Sequence, residues 1–156
     1  MRASPTRFTF TVLLIALAFQ DAALAEVSSR DKYTLFCAGC HGYQGEGAGG
    51  GWGTKGIASF IDQVGQFLRD RDGRRYLVNV GGVSAAGMTD ADTAIVLNYV
   101  LSTFGGRSTP NDFKPYTAEE ISSLRSETVA DPAAMRRQIA ARLKKKGVYL
   151  YAGYWD

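Results

Sequence analysis

The stretch Cys37-Ala38-Gly39-Cys40-His41 (CAGCH) sets what the rest of this chain must fold around. Its C-x-x-C-H spacing is that of covalent haem attachment, in which two thiols add to the two vinyl groups of one porphyrin edge. The adjacent imidazole can then swing under the ring and ligate the iron. Cys37 and Cys40 are the only cysteines of the 156 residues, and His41 is the only histidine. The motif therefore predicts one covalently bound haem c with His41 as an axial ligand.

Other sites that use a C-x-x-C pair fit this sequence less well. A thioredoxin-like dithiol expects a preceding buried strand and a βαβ pattern, whereas residues 30–36 (RDKYTLF) read as a short helix. A tetrahedral zinc site needs further nitrogen or sulfur ligands, and the chain has no other cysteine or histidine. A disulfide closed across two residues would be strained. Haem attachment is the interpretation that the remaining sequence supports.

The first 25 residues have the pattern of an export signal. Arg2 and Arg7 form a basic region, residues 10–19 (FTVLLIALAF) an apolar core, and residues 23–25 (ALA) a small-residue cleavage site. The apolar run of about ten residues is short of the roughly 20 that cross a bilayer. We therefore expect no membrane span after cleavage, and a periplasmic protein, since bacteria attach haem to C-x-x-C-H outside the cytoplasm.

The segment after the motif is too rich in glycine for a helix or strand. Nine of the eighteen residues from Gly39 to Gly56 are glycine, which carries a high entropy cost in regular structure. We expect this loop to lie along a flat ring and one of its carbonyls to accept the His41 Nδ1–H. Residues 58–68 then have helical apolar spacing, and the mixed-sign run 69–75 (RDRDGRR) predicts a solvated connection whose arginines could pair with haem propionates.

Met88 is the leading candidate for the iron ligand opposite His41. It ends a glycine-bounded loop outside any apolar periodicity, and Thr89 with Asp92 forms a capping box that begins the next helix. Its rival is Met135, which is followed by aliphatic residues at i+4 and i+8. This spacing predicts that Met135 packs on a helix face. An open sixth position, or a lysine, asparagine or tyrosine ligand, remains a further alternative.

Together these features resemble a monohaem class I c-type cytochrome over about residues 30–104. The shared features are the CAGCH motif, the glycine-rich loop, the loop ending at Met88 and the helix TDADTAIVLNYVLSTF. The resemblance implies an all-α, cytochrome c-like haem domain in which the first and last helices cross, with Tyr33 and Tyr99 at matching contact positions. It also implies electron transfer by an iron held between His41 and Met88.

One departure from that family concerns the proximal histidine. The family usually has a proline whose carbonyl accepts the hydrogen bond from this histidine, and no proline occurs here between Pro5 and Pro110. The sequence therefore leaves the carbonyl partner of His41 unassigned.

A C-terminal helical extension follows the haem domain. Thr117 begins a second capping box (TAEE) and Asp131-Pro132 a further helix start, which divides the chain into a signal peptide (1–25), a haem domain (26–106) and a basic and aromatic extension (107–156). Residues 26–116 carry nine basic and nine acidic side chains, whereas residues 117–156 carry seven and five. Six of those seven form a run without an intervening acid: Arg136, Arg137, Arg142, Lys144, Lys145 and Lys146.

Two interpretations of this basic run stay open. It can be a solvated helix end whose lysines suit the macrodipole, or a docking patch for an acidic partner. As an exported haem protein, the chain is not expected to bind nucleic acid. We expect an electron carrier without catalytic residues, with a periplasmic dehydrogenase as donor and a cytochrome or oxidase as acceptor. The alternatives are a haem enzyme or gas sensor with an open sixth site, or a cytochrome subunit of a dehydrogenase complex.

Overall fold

The computed structural model describes residues 27–48 and 56–150, and its regular structure is helical. Within those ranges no strand forms, and one isolated antiparallel bridge joins Ala48 to Ile57. The prediction of an all-α fold is confirmed. In chain order the helices are α1 (Ser29–Phe36), α2 (Ala38–His41), a 3-10 helix (Val64–Arg69), α3 (Gly73–Asn79), α4 (Gly81–Ser84), α5 (Asp90–Thr103), a second 3-10 helix (Gly106–Ser108), α6 (Ala118–Ser126) and α7 (Pro132–Lys145).

Polar N-caps determine where four of these helices begin. In α1, α5, α6 and α7 the residue before the helix accepts a hydrogen bond from the backbone N–H three positions on. These N-caps are Ser28, Thr89, Thr117 and Asp131. Such side chains satisfy N–H groups that have no partner inside the helix. The starts of α5, α6 and α7 that the capping boxes and Asp131-Pro132 predict are therefore confirmed.

The crossing of α1 and α5 lies at the centre of the fold. Tyr33 is 1% exposed, and its ring centroid lies 5.5 Å from that of Tyr99 and 5.0 Å from that of Phe104. The Tyr33 hydroxyl donates to the Gly42 carbonyl at 2.5 Å, which ties α1 to the chain just after the motif. Tilted aromatic pairs at these distances are favourable beyond the area they bury. The Tyr33–Tyr99 contact that the family resemblance implies is present.

The segment 58–68 differs from the single helix that its apolar spacing predicts. The chain turns at Asp62, which has a φ of 54°, and only Val64–Arg69 is helical. The turn is held by contacts with the residue after α5 and with the second 3-10 helix. The Asp62 N–H donates to the Phe104 carbonyl at 3.0 Å, and Asp62 Oδ1 accepts from the Arg107 N–H at 2.9 Å. These partners are more than 40 positions away, so local periodicity does not report them.

The C-terminal helices pack on the rest of the protein. Helix α6 lies against α5 and α3, and α7 lies against α3. Ile121 of α6 and Ile139 and Leu143 of α7 are 0% exposed and belong to the same hydrophobic cluster as Tyr33. One core therefore extends across both predicted segments; the boundary near residue 106 stays a prediction. None of the described helices combines the length and hydrophobicity that crossing a membrane requires.

Candidate haem site

The CAGCH motif lies at the junction of α1 and α2. Cys37 is the last residue of the α1 turn, with its N–H on the Tyr33 carbonyl at 2.8 Å, and its own carbonyl accepts from the His41 N–H at 2.9 Å. Both cysteines are free thiols, Cys40 exposed and Cys37 half-buried. Burial, and to a smaller extent the neighbouring Cys40, raises the pKa of Cys37 to about 11. A catalytic dithiol needs a lowered thiol pKa, so the raised pKa of Cys37 argues against a disulfide-exchange site.

A backbone carbonyl orients the His41 ring. His41 Nδ1 lies 3.0 Å from the carbonyl oxygen of Ala58, so a proton on Nδ1 is donated there and Nε2 is left as the nitrogen that can bind a metal. Burial lowers the pKa of His41 and thus favours the neutral imidazole that ligation requires. The carbonyl comes from Ala58, two positions beyond the glycine-rich run that was expected to provide it. The Ala58 carbonyl is therefore the hydrogen-bond partner of His41 that the sequence left unassigned.

Phe60 is a site residue that sequence reasoning missed. Its ring stacks on the His41 imidazole, with centroids 4.0 Å apart and 19° between the planes. The Phe60 N–H donates to the Gly45 carbonyl at 2.8 Å, which fixes the chain beside the motif before it turns at Asp62. The apolar spacing of residues 58–68 predicted that Phe60 lies on a helix face. No local sequence pattern indicates that its ring stacks on His41.

Two glycines allow the loop after the motif to fold back on the core. Gly45 and Gly47 have φ values of 72° and 78°, in the left-handed region that favours glycine. A Cβ on Gly45 would lie 2.8 Å from the Phe104 ring, and one on Gly47 would lie 2.3 Å from the Ile57 carbonyl oxygen. The described part of the glycine-rich loop is therefore tightly held, and residues 49–55 lie outside the described ranges.

Met88 occupies the predicted loop position. It lies between α4 and the N-cap of α5 and is 6% exposed. Its carbonyl accepts a hydrogen bond from Arg125 Nη1 at 3.1 Å. The rival Met135 is 8% exposed and lies on the buried face of α7 with Ile139 and Leu143. Which methionine ligates iron stays a prediction.

The residue types that the sequence predicted as donors fit haem c. They comprise two free thiols at C-x-x-C spacing, an imidazole with a metal-binding nitrogen left over, and a buried loop methionine. These residue types supply the thioether links and the His/Met ligation used by cytochromes c.

Two of the six basic residues predicted to form a docking patch make contacts within the protein, and one of them is buried. Arg136 is 6% exposed, with its guanidinium carbon 5.4 Å from the Phe67 ring centroid. Arg142 binds Asp70 through two hydrogen bonds of 2.7 and 2.8 Å and also reaches Asp72 at 2.8 Å. Arg136 is therefore too buried to belong to such a patch, whereas the side chain of Arg142 is 30% exposed and its place in the patch stays a prediction. The other four are exposed: Arg137, Lys144, Lys145 and Lys146.

The mixed-sign run 69–75 contacts the C-terminal helices and is only partly the solvated turn that was predicted. Arg142 binds the Asp70 carboxylate, whose side chain is 2% exposed, and this contact holds the pKa of Asp70 below its ordinary value. Arg74 binds both oxygens of Glu120, at 2.5 and 2.6 Å. Its guanidinium also lies 3.8 Å from the Tyr116 ring centroid. The run thus joins the haem domain to the extension.

Comparison with known proteins agrees with this site. No family model matches the chain. A cytochrome c-552 of Thermus thermophilus is 29% identical over 154 residues, which cover 87% of this chain and 97% of that protein. A second cytochrome c-552 of the same species is 29% identical over 130 residues, covering 72% of this chain and 92% of that protein.

An all-α fold that presents C-x-x-C-H beside a carbonyl-oriented imidazole defines a helical haem protein. The chain is similar over most of its length to two proteins named cytochrome c-552, each 29% identical to it, and this likeness agrees with a c-type cytochrome. The relatives support an electron-carrying haem protein as its general role.

Proposed function

We propose that this protein is a periplasmic electron carrier of the monohaem class I type. It holds one haem c through Cys37 and Cys40, with the iron between His41 and Met88. The observation that carries the proposal is the His41 Nδ1 to Ala58 carbonyl distance of 3.0 Å beside two free thiols. When bound, the haem supplies an iron that takes up and releases one electron.

The residues of the chain bind and orient that centre. The Ala58 carbonyl holds the His41 ring in one tautomer, and Phe60 covers one face of the imidazole at 4.0 Å. Met88 offers a soft thioether from a buried position. His/Met ligation raises the reduction potential of a c-type cytochrome. We therefore expect a potential above that of the same protein without the methionine ligand.

Export is part of the proposal. The signal pattern in residues 1–25 supports it, and those residues lie outside the described ranges. The amino-terminal sequence of the protein recovered from a bacterial periplasm should begin at Glu26, directly after the ALA site. A haem-bearing protein that retains residues 1–25 in the cytoplasm would contradict export.

The exposed basic residues of α7 are the proposed docking surface for an acidic redox partner. Lys145, Lys146 and Arg71, whose side chain is 82% exposed, line a cleft of about 400 Å³ together with Asp70 and Arg142. Redox partners meet through small interfaces, below about 1,200 Å², where charge mainly raises the association rate. The donor we propose is a periplasmic dehydrogenase, and the acceptor is a cytochrome or an oxidase.

Covalent attachment is tested by the intact mass of protein produced in a host that matures c-type cytochromes. The mass of the wild-type protein should exceed that of the polypeptide by one haem. This added mass should remain after acid–acetone extraction, which removes haem that is not covalently bound. Cys37→Ala and Cys40→Ala should each leave at most a single thioether, so the yield of holoprotein should fall at least about tenfold. A wild-type chain recovered as bare polypeptide under these conditions would contradict the proposed function.

A further inference from the structure

Arg125 of α6 contacts the main chain at Met88. Its Nη1 donates to the Met88 carbonyl at 3.1 Å and to Asp90 Oδ1 at 2.5 Å, and its Nη2 donates to Thr93 Oγ1 at 2.7 Å. One guanidinium therefore joins the end of the methionine loop to the first turn of α5. The side chains of Arg125 and Asp90 are 28% and 35% exposed, so this ion pair is partly shielded from solvent.

The acceptors of Arg125 are themselves held in place. Thr93 is 0% exposed, and its hydroxyl donates to the Thr89 carbonyl at 2.8 Å while it accepts from Arg125. Thr89 is also the N-cap of α5, with its side chain accepting from the Asp92 N–H at 3.0 Å. The guanidinium therefore contacts a rigid helix start, and the Met88 carbonyl is fixed relative to that start.

Helix α6 is anchored on its other side by α3. Arg74 of α3 binds Glu120 through both carboxylate oxygens, and the Asn79 side-chain amide donates to the Leu124 carbonyl at 3.0 Å. Ile121 between them is 0% exposed. Helix α6 thus bridges α3 and α5, the helices that precede and follow the segment made of α4 and the methionine loop. Arg125 is carried by an element that cannot easily move away from Met88.

We propose that Arg125 is a positioning residue that fixes the methionine loop and so keeps the sixth ligand on the iron. This inference rests on the proposed ligation by Met88. The loop needs such a contact because Gly87, with a φ of 68°, precedes Met88, and Gly81 and Gly82 begin α4. Glycine leaves the main chain free to move. The planar guanidinium, with five donors, binds three acceptors at once, which the single ammonium of lysine matches less well.

The test compares full-length holoprotein variants by spectral titration of the ferric protein with imidazole. Arg125→Gln should bind imidazole about tenfold more tightly than wild type, because a hydrogen-bonded charge no longer holds the loop. Its methionine–iron charge-transfer band should also weaken. Arg125→Lys should restore part of the wild-type affinity. The matched control is Arg137→Gln, which removes an exposed arginine of α7 that pairs with Asp131 and takes no part in holding α6, and it should change the affinity less than about twofold.

The possible outcomes separate the two claims. If Met88→Ala leaves the spectrum unchanged, Met88 is not the ligand, and both the proposed ligation and the role of Arg125 are wrong. If Met88→Ala becomes high-spin while Arg125→Gln binds imidazole as wild type does, only the role of Arg125 is overturned. An effect of Arg137→Gln as large as that of Arg125→Gln would also overturn it. Should Arg125→Gln not yield holoprotein, Asp90→Asn decides: tighter imidazole binding supports the role, and wild-type affinity contradicts it.

Discussion

At the scale of single residues, His41 and Met88 differ in how the fold holds them. His41 is fixed through its side chain, by a hydrogen bond from Nδ1 to the Ala58 carbonyl and by stacking on Phe60. Met88 is fixed through its main chain, by the Arg125 contact to its carbonyl. The thioether of Met88 has only weak hydrogen-bonding capacity, so hydrogen bonds hold this residue through its main chain. We therefore expect a foreign ligand to displace Met88 before His41.

Replacement of Met88 tests its assignment at this scale. Met88→Ala should turn the ferric protein high-spin or let imidazole bind readily, and should lower the reduction potential, because the thioether favours ferrous iron. Visible spectroscopy and a redox titration measure both effects. Met135→Ala is the matched control: it removes a buried methionine of α7 and should leave the spectrum unchanged while costing about 2–4 kcal/mol of stability. The reverse pattern would assign the ligand to Met135.

At the scale of elements, ion pairs join residues 69–75 to the C-terminal helices α6 and α7. Asp70 has a side chain only 2% exposed and is bound by Arg142 of α7 through two hydrogen bonds. Removal of the Asp70 charge would weaken both of these charge-assisted hydrogen bonds and leave Arg142 with Asp72 as its remaining carboxylate partner. We therefore expect α7 to depend on this contact for its docking against α3.

Asp70→Asn should lower the free energy of unfolding by about 1.5 kcal/mol, measured by denaturant unfolding at neutral pH. The exposed Asp112→Asn should change it by less than about 0.5 kcal/mol. The contact with Arg142 lowers the pKa of Asp70. Its contribution is therefore complete above the ordinary aspartate pKa and is lost as the pH falls through the lowered value. The stability difference between wild type and Asp70→Asn should shrink in acid. A difference that stays constant down to strongly acidic pH would contradict this contact.

The sequence predicted a helix start or turn correctly where the contacts that fix it are local along the chain. Thr89, Thr117 and Asp131 cap their own helices, so three starts were correct. The turn at Asp62 depends on Phe104 and Arg107, more than 40 residues later, and the predicted helix 58–68 failed for that reason. The contacts of Arg142 with Asp70 and Asp72 are likewise distant along the chain. The C-x-x-C-H motif could be recognised from the sequence because all of its functional residues lie within five consecutive positions.

At the scale of the whole molecule, the extension serves stability and carries charge. Its buried residues Ile121, Ile139 and Leu143 complete the core, so a chain cut after Tyr116 should lose stability and not only its basic patch. Charge reversal on the exposed surface is therefore the cleaner way to examine partner docking. Exposed lysines at the end of α7 can be changed without disturbing that core.

The double variant Lys144→Glu/Lys145→Glu should react at least about tenfold more slowly with an acidic redox partner at low ionic strength, because electrostatic steering raises association rates. Stopped-flow electron transfer over a salt series measures this. The difference should fade toward 1 M salt, where the screening length is about 3 Å. Arg107→Glu/Lys114→Glu changes the net charge equally elsewhere on the surface and should slow the reaction much less. Equal slowing by both variants would contradict a localised docking surface.

A redox titration of the purified full-length holoprotein, followed by its visible spectrum, tests the proposed electron carrier most directly. One reversible one-electron step is predicted, with low-spin iron in both states and a weak methionine–iron charge-transfer band in the oxidised form that Met88→Ala abolishes. A high-spin wild-type spectrum, or ferrous protein that binds carbon monoxide at an already open site, would contradict His41/Met88 ligation and point to a haem enzyme or gas sensor.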